Sequence, residues 1–134
     1  MSCCDGSLIY ISNQTSGSNA GSITVTSVTT DNNTGLTGIG VGSTIDQNGT
    51  VKGSVTSADG SNGSAQGQIG ISIGGQTFNL NYNFTPKNAF GKCPCTPVGS
   101  SAPQSAGSYK VLVSTTKGEN SGAVLNFYVN TTGA

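Results

Sequence analysis

The stretch Thr77–Phe84 reads TFNLNYNF and alternates strictly between polar and bulky apolar or aromatic side chains. A period of two residues places successive side chains on opposite faces of a β-strand, so one face of this stretch is apolar and the other carries asparagines. Pro86 follows shortly afterwards and marks the end of the strand, because proline has no N–H for a central ladder. The stretch therefore predicts a strand that buries one face in a hydrophobic core.

Shorter strand signals extend from this stretch towards both ends of the chain, and no helical period interrupts them. We predict further strands near Leu8–Ser12, Ile23–Val28, Leu36–Ile45, Val51–Val55, Ile69–Ile73, Tyr109–Thr115 and Ala123–Val129. Gln47–Gly49 and Asp59–Gly63 are the strongest turn signals, and the proline-containing region Lys87–Gly107 is predicted to be irregular. Strands joined by short turns predict an all-β fold, which we expect to be an eight-stranded antiparallel jelly-roll sandwich with a short N-terminal arm. An immunoglobulin-like sandwich is the alternative.

The chain of 134 residues is long enough for one domain with a substantial core. We assign residues 1–6 to the arm and residues 7–134 to a single β-sandwich domain. The inward-facing positions of the predicted strands define the expected core. This core comprises Ile23, Val25, Ile71, Phe78, Leu80, Phe84, Val113, Leu125 and Phe127.

Charge is scarce, since charged residues make up 7% of the chain and five lysines balance five acidic residues. Such a composition offers no basic face for nucleic acid and no polybasic patch for a membrane. A near-zero net charge favours association, and a neutral polar surface also suits sugars. Met1–Asp5 has no basic n-region, and no apolar run approaches the length of a membrane helix, so we expect a chain made without the secretory route.

Catalysis is not expected from these residues. Histidine is absent, which removes the usual general base, and the five acidic residues are scattered among turns rather than paired. The turn Asp59–Asn62 is the only conceivable calcium loop, but it lacks the necessary density of carboxylates. We therefore predict a protein with no catalytic residue, no metal and no cofactor.

The four cysteines form two clusters, Cys3-Cys4 in the arm and Cys93-Pro94-Cys95 in the irregular region. Neither pair can easily close on itself, because disulfide geometry narrowly restricts the Cα separation and the S–S torsion. The natural partners are therefore arm and loop. Free thiols and a four-cysteine zinc site are alternatives, although the spacings within each pair are poor for zinc. An extended arm of six residues reaches about 20 Å, so the bonds could lie within one chain or between neighbouring chains.

With Cys3-Cys4 in an N-terminal arm, further cysteines in the body and a Thr/Gly/Asn-rich β pattern, the chain resembles the subunits of bacterial endospore appendages, the pilus-like fibres of Bacillus-type spores. The resemblance implies a jelly roll whose N-terminal connector inserts into neighbouring subunits. It also implies that Cys3 and Cys4 bond to Cys93 and Cys95 of other copies, which makes the chain a self-assembling, cross-linked homopolymer. The implied location is the spore surface, reached by lysis of the mother cell, with a spore-coat anchor or tip protein as a further partner.

Two other classes remain open on the residues alone. The first is a small carbohydrate-binding module or lectin, in which only Tyr10, Tyr82, Tyr109 and Tyr128 could stack on a sugar, with Tyr82 placed towards the core by its alternation. The second is a jelly-roll capsid or decoration protein. The leading prediction is the fibre subunit, with neither nucleic acid nor membrane as a partner.

Overall fold

A computed structural model of the chain describes residues 3–31, 34–57, 64–87, 93–99, 104–119 and 122–132. Nearly all the regular structure in these ranges is β-strand, with one short 3₁₀ turn at Gly17–Asn19. The strands are β1 Leu8–Gln14, β2 Ile23–Thr30, β3 Thr34–Thr37, β4 Thr44–Ile45, β5 Thr50–Ser57, β6 Ala65–Ile73, β7 Gln76–Pro86, β8 Cys95–Gly99, β9 Gln104–Ala106, β10 Tyr109–Thr116 and β11 Val124–Thr131.

The strands form two sheets packed as an all-β sandwich. One sheet has the order β3-β5-β1-β11-β10-β9 and the other has the order β4-β2-β6-β7-β8. The pairs are antiparallel except for β1 and β11, which run parallel with Leu8 opposite Val124. A parallel pair needs a long connection, and here almost the whole chain lies between the two strands. The first and last described strands are therefore neighbours at the centre of the six-stranded sheet.

The core lies between the inner faces of the two sheets. Strand β7 confirms the alternation of the deciding stretch, since Phe78, Leu80, Tyr82 and Phe84 are all buried. Eight of the nine predicted core residues are buried, and the ninth, Val113, is partly buried and packs against the same cluster. The periodicity therefore identified the core correctly.

The predicted number of eight strands is wrong, because the described residues form eleven. The expected strand at Leu36–Ile45 divides into β3 and β4, since Gly38 and Gly42 both adopt φ of +91°, which interrupts extended backbone. Ile39 is consequently buried while Val41 is 68% exposed, although an unbroken strand would have placed both on one face.

The region Lys87–Gly107 also contains strands that the sequence did not predict. Strand β8 lies at the edge of its sheet and includes Pro97, a position where a missing N–H is tolerated. Strand β9 was not predicted for a different reason, because its three residues are too few to show a period. The predicted turn at Asp59–Gly63, which includes the stretch that we rejected as a calcium loop, lies outside the described residues.

Candidate functional site

The four cysteines meet at one end of the sandwich in two disulfide bonds. Cys3 bonds to Cys93 and Cys4 bonds to Cys95, with Cα separations of 5.1 and 5.2 Å. The pairing of arm with loop is therefore as the sequence predicted, and the free-thiol and zinc alternatives do not describe this arrangement. In this single chain both bonds are intramolecular, and bonds from Cys3 and Cys4 to Cys93 and Cys95 of other copies stay a prediction.

Backbone contacts explain why the arm stays with its own domain. Gly6 N–H donates to the carbonyl of Val55 at 2.8 Å, and Gly122 N–H donates to the carbonyl of Cys3 at 2.9 Å. Strand β5 runs antiparallel to β1, and β11 runs parallel to it. The residues just before β1 therefore lie between the end of β5 and the start of β11. The arm thus packs closely on its own domain, and Cys4 belongs to the core cluster.

We call the four cysteines and their two disulfide bonds the cysteine clasp. Backbone hydrogen bonds also hold Cys95 and its neighbours in place. Cys95 exchanges two backbone hydrogen bonds of 2.9 Å with Gly118, which follows β10. The Ser7 hydroxyl lies 3.6 Å from the Cys95 sulfur and accepts a hydrogen bond from Ala123 N–H at 2.9 Å. The cysteine clasp therefore connects the arm before β1 covalently to Cys93 and to the start of β8, and three of its four cysteines are buried.

Metal-binding side chains are not grouped together in the part of the chain that the structure describes. There, no three His, Cys, Asp or Glu side chains come together in a way that could hold a metal ion. The described ranges also contain no helix long and apolar enough to cross a membrane. The described residues do offer surfaces suited to binding.

The outer face of the six-stranded sheet carries such a surface. Five side chains on three adjacent strands lie there outside the core cluster; Leu112 is 39% exposed and the other four are half-buried. We call this surface the tyrosine face; it consists of Leu8 and Tyr10 on β1, Val124 and Tyr128 on β11, and Leu112 on β10. Apolar and aromatic groups exposed together on one sheet are a mark of an interaction surface.

Strand register makes the tyrosine face continuous. Leu8 pairs with Val124 across the parallel β1–β11 ladder, and Tyr128 pairs with Leu112 across the antiparallel β10–β11 ladder. Tyr10 is opposite Asn126, so it is the diagonal neighbour of Tyr128 on the same face. Ser114 donates a hydrogen bond of 3.5 Å to the Tyr128 hydroxyl.

Charge on this face has one sign. Lys52 on β5 pairs with Tyr10, and Lys110 on β10 lies beside Leu112, so a cation flanks each side of the tyrosine face. The six strands of the sheet contain no acidic residue, whereas the five strands of the other sheet contain no charged residue at all. The two outer faces of the sandwich thus differ in both charge and apolar content.

The sequence missed this surface for a definite reason. Of the four candidate stacking tyrosines, the structure buries Tyr82 as predicted and also Tyr109, whose hydroxyl donates to the carbonyl of Asn19 at 2.8 Å. Tyr10 and Tyr128 come from opposite ends of the chain and meet only through the parallel β1–β11 pair. The available signal was the alternation of Tyr10 between buried Ile9 and Ile11, which places its ring on the outer face.

Comparisons with known proteins bear on the fold alone. No protein-family profile and no curated protein sequence matches the chain. Among solved structures, RahU protein, crystallised with a TRIS molecule, matches with a TM-score of 0.62 and 13% identity over 96% of this chain and 97% of its own. IP-1A from Alcaligenes faecalis matches with a TM-score of 0.57 and 11% identity over 97% and 94%. The lipid binding protein Nakanori matches with a TM-score of 0.53 and 13% identity over 92% and 71%.

These likenesses establish an all-β architecture shared across nearly the whole chain. The two disulfides add information about the environment, because such bonds persist in oxidising surroundings and are rare in reducing cytosol. The fold and its bonds therefore fit an extracellular protein.

Proposed function

We propose that this protein is a non-enzymatic extracellular β-sandwich that docks on anionic lipid surfaces through its tyrosine face. The observation that carries the proposal is the grouping of Tyr10, Tyr128 and Leu112 between Lys52 and Lys110, on strands that contain no acidic residue. Tyrosine suits the boundary between water and lipid because one end of its ring is apolar and the other is polar. One structure of similar fold is described as a lipid binding protein, which agrees with this use of the architecture.

The charges favour a lipid surface over a second copy of the chain. Two tyrosine faces packed together would bring the lysines of both copies into one interface without a carboxylate from these strands to neutralise them. An anionic bilayer instead attracts each lysine, by about 1 kcal/mol near the surface. This proposal departs from our sequence-based expectation of no membrane partner, which rested on the absence of a polybasic run.

Vesicle binding tests the proposal directly. The protein should sediment with vesicles of equal parts phosphatidylcholine and phosphatidylglycerol, and much less with pure phosphatidylcholine, at about 0.15 M salt, where charges are screened beyond about 8 Å. Changing both Lys52→Gln and Lys110→Gln should weaken binding about 30-fold, since each lysine contributes about fivefold.

Matched variants distinguish binding through the tyrosine face from nonspecific effects of charge and exposed apolar groups elsewhere on the protein. Lys87→Gln with Lys117→Gln removes the same charge from exposed positions outside these strands and should have a much smaller effect. Leu112→Ser should weaken binding, whereas Val41→Ser, at a more exposed site in the loop between β3 and β4, should not. Equal losses from the two lysine pairs, or no binding to either vesicle, would refute the proposal.

The fibre subunit remains a second candidate, in a form that the cysteine clasp suggests. Exchange of an identical segment between copies is a low-cost route to assembly. The arm ends at Gly6, which has φ of +83° and provides a pivot ahead of β1. An arm that swung out there could make the same bonds, Cys3 to Cys93 and Cys4 to Cys95, in a neighbour, as the likeness to spore appendages implies.

Mixed isotopes decide between closed and exchanged arms. Reduced, unfolded ¹⁴N protein and ¹⁵N-labelled protein, produced separately and mixed in equal amounts before refolding and oxidation, would yield disulfide-linked peptides in which one half is light and the other heavy if arms are exchanged. Non-reducing peptide mapping of the product should find mixed pairs for a fibre, and pure light or pure heavy pairs for the closed chain. Only pure pairs would dismiss this second candidate.

A further inference from the structure

The five-stranded sheet carries a groove on its outer face, at the end of the sandwich where β2 finishes and β6 begins. Its volume is about 500 Å³, within the range of small-ligand sites. Six polar side chains line most of it, and we call it the amide groove. These residues are Thr29, Asp31, Gln66, Gln68, Asn81 and Asn83.

Strand register arranges these side chains in two rows across the sheet. Thr29 pairs with Gln68, which pairs with Asn81, and this gives the first row. Their outward direction follows from the burial of neighbouring residues such as Leu80 and Tyr82, which face the core.

The second row runs parallel to the first, two residues further along. Gln66 pairs with Asn83, which pairs with Val98 on β8. Asp31 N–H donates to the carbonyl of Gln66 at 3.1 Å, which places the acid at one end of this row, while Val98, 55% exposed, lies at the other.

The chemistry of the lining is unusually uniform. Each Asn or Gln amide offers one acceptor and two donors, which match hydroxyl groups that both donate and accept. The strands of this sheet contain no cation to attract phosphate or sulfate, and the carboxylate of Asp31 would repel anionic ligands. Exposed Val98 offers an apolar contact for the C–H groups of a sugar ring.

We propose that the amide groove binds a neutral oligosaccharide. Asp31 accepts hydrogen bonds from neighbouring hydroxyls, the amides of Gln68 and Asn81 bridge hydroxyls along the first row, and Val98 packs against a ring edge. This site lies on the opposite outer face from the tyrosine face, so it goes beyond the proposed lipid docking and does not depend on it.

Four named probes test the site: short cello-, malto-, manno- and chito-oligosaccharides. Each is titrated into ¹⁵N-labelled protein while side-chain amide signals are followed. At least one probe should shift the signals of Gln66, Gln68, Asn81 and Asn83 together. Shifts confined to other residues, or no shift with any of the four up to its solubility limit, would overturn the proposal.

Variants then assign the contacts. Asp31→Ala should weaken binding of the positive probe at least about tenfold, because hydrogen bonds to a charged group are the stronger kind. The double change Gln68→Ala with Asn81→Ala should weaken it further. Thr77→Ala, an exposed position on β7 outside the groove, is the matched control and should leave binding unchanged.

The two proposals can fail separately. The variant with Lys52→Gln and Lys110→Gln should lose vesicle binding and keep sugar binding, whereas Asp31→Ala should do the reverse. If the lysine variant lost sugar binding while remaining folded by circular dichroism, the assignment of the sugar to the amide groove would be wrong.

Discussion

The Ser7 hydroxyl lies 3.6 Å from the sulfur of Cys95 in the interior of the sandwich, although 88 residues separate them. The same oxygen accepts the N–H of Ala123, so one small side chain links the start of β1 to the residue before β11 and to the cysteine clasp. Ser7 is fully buried, which leaves no water to replace it. It is therefore both a structural acceptor and a packing partner of the disulfide.

Ser7→Ala should accordingly destabilise the fold. The change leaves the buried N–H of Ala123 without an acceptor, which costs about 1–3 kcal/mol. Ser12→Ala is the control, since Ser12 lies on the outer face of the same strand with its hydroxyl 3.0 Å from that of Thr50. Urea unfolding should place the control within about 0.5 kcal/mol of the parent. Equal losses in the two variants would contradict the role given to Ser7.

The two disulfides should stabilise the fold in a strongly non-additive way. They span 90 and 91 residues, so either bond alone closes almost the same long loop. Loop-closure entropy assigns about 4.6 kcal/mol to that loop and about 2 kcal/mol to the small ring that the second bond adds. Changing Cys3 and Cys93 together to Ala should therefore cost about 2 kcal/mol, but changing all four cysteines should cost about 6–7 kcal/mol.

Three variants test this expectation by denaturant unfolding: the Cys3/Cys93 pair, the Cys4/Cys95 pair and the fourfold change. The Cys4/Cys95 pair should cost more than the other pair, because both of its cysteines are fully buried and their sulfurs fill space in the core. If the costs of the two pairs summed to the cost of the fourfold change, the shared-loop explanation would fail.

The alternation of polar and apolar residues predicted the features that depend on neighbouring residues in the sequence, namely strands and their buried faces. Thr77–Phe84 identified its strand and its buried face correctly because alternation directly encodes which side faces the core. The division of Leu36–Ile45 into two strands was not predicted, because the strands of this chain also contain glycine. Nothing in the sequence distinguishes the two glycines that interrupt this stretch. The short strand β9 shows no period, and Pro97 in β8 argued against a strand that its edge position allows.

Long-range adjacency was beyond the sequence. Disulfide geometry predicted that Cys3 and Cys4 would bond to Cys93 and Cys95, yet whether the bonds close within a chain depends on β1 lying beside β11. The tyrosine face depends on the same adjacency, and the amide groove depends on the register of four strands. No short motif encodes either arrangement.

Gly67 should be intolerant of any side chain. A Cβ at this position would overlap the carbonyl oxygen of Thr29 and lie 2.7 Å from Cζ of Tyr82. Because the Thr29 atom is backbone, the sheet itself must shift, and Gly67→Ala should cost about 1–3 kcal/mol. Gly40→Ala is the control, since nothing lies within 4 Å of its Cβ position and its φ is not positive. Thermal unfolding should separate the two variants by several degrees, and equal melting temperatures would contradict the overlap.

The stability of the fold should decline at alkaline pH because of Tyr82. Burial, aided by the negative charge of Asp31, raises the pKa of Tyr82 from 10.0 to about 12. The unfolded chain, whose tyrosines ionise near pH 10, therefore loses this proton first as the pH rises. Between about pH 10 and about pH 12 the unfolded state binds fewer protons than the folded state, so the free energy of unfolding falls across that window and this contribution is fully present only below it.

Tyr82→Phe removes this hydroxyl and leaves every other ionisable side chain in place. Urea midpoints at about pH 9 and about pH 11, measured after brief exposure to spare the disulfides, should fall further for the parent than for the variant. Phenolate absorbance should also lose a step near pH 12 in the variant, and Asp31→Asn should move that step in the parent to lower pH because it removes the negative charge. Parallel declines in the two proteins, with no difference in the absorbance titration, would show that Tyr82 does not ionise with a raised pKa.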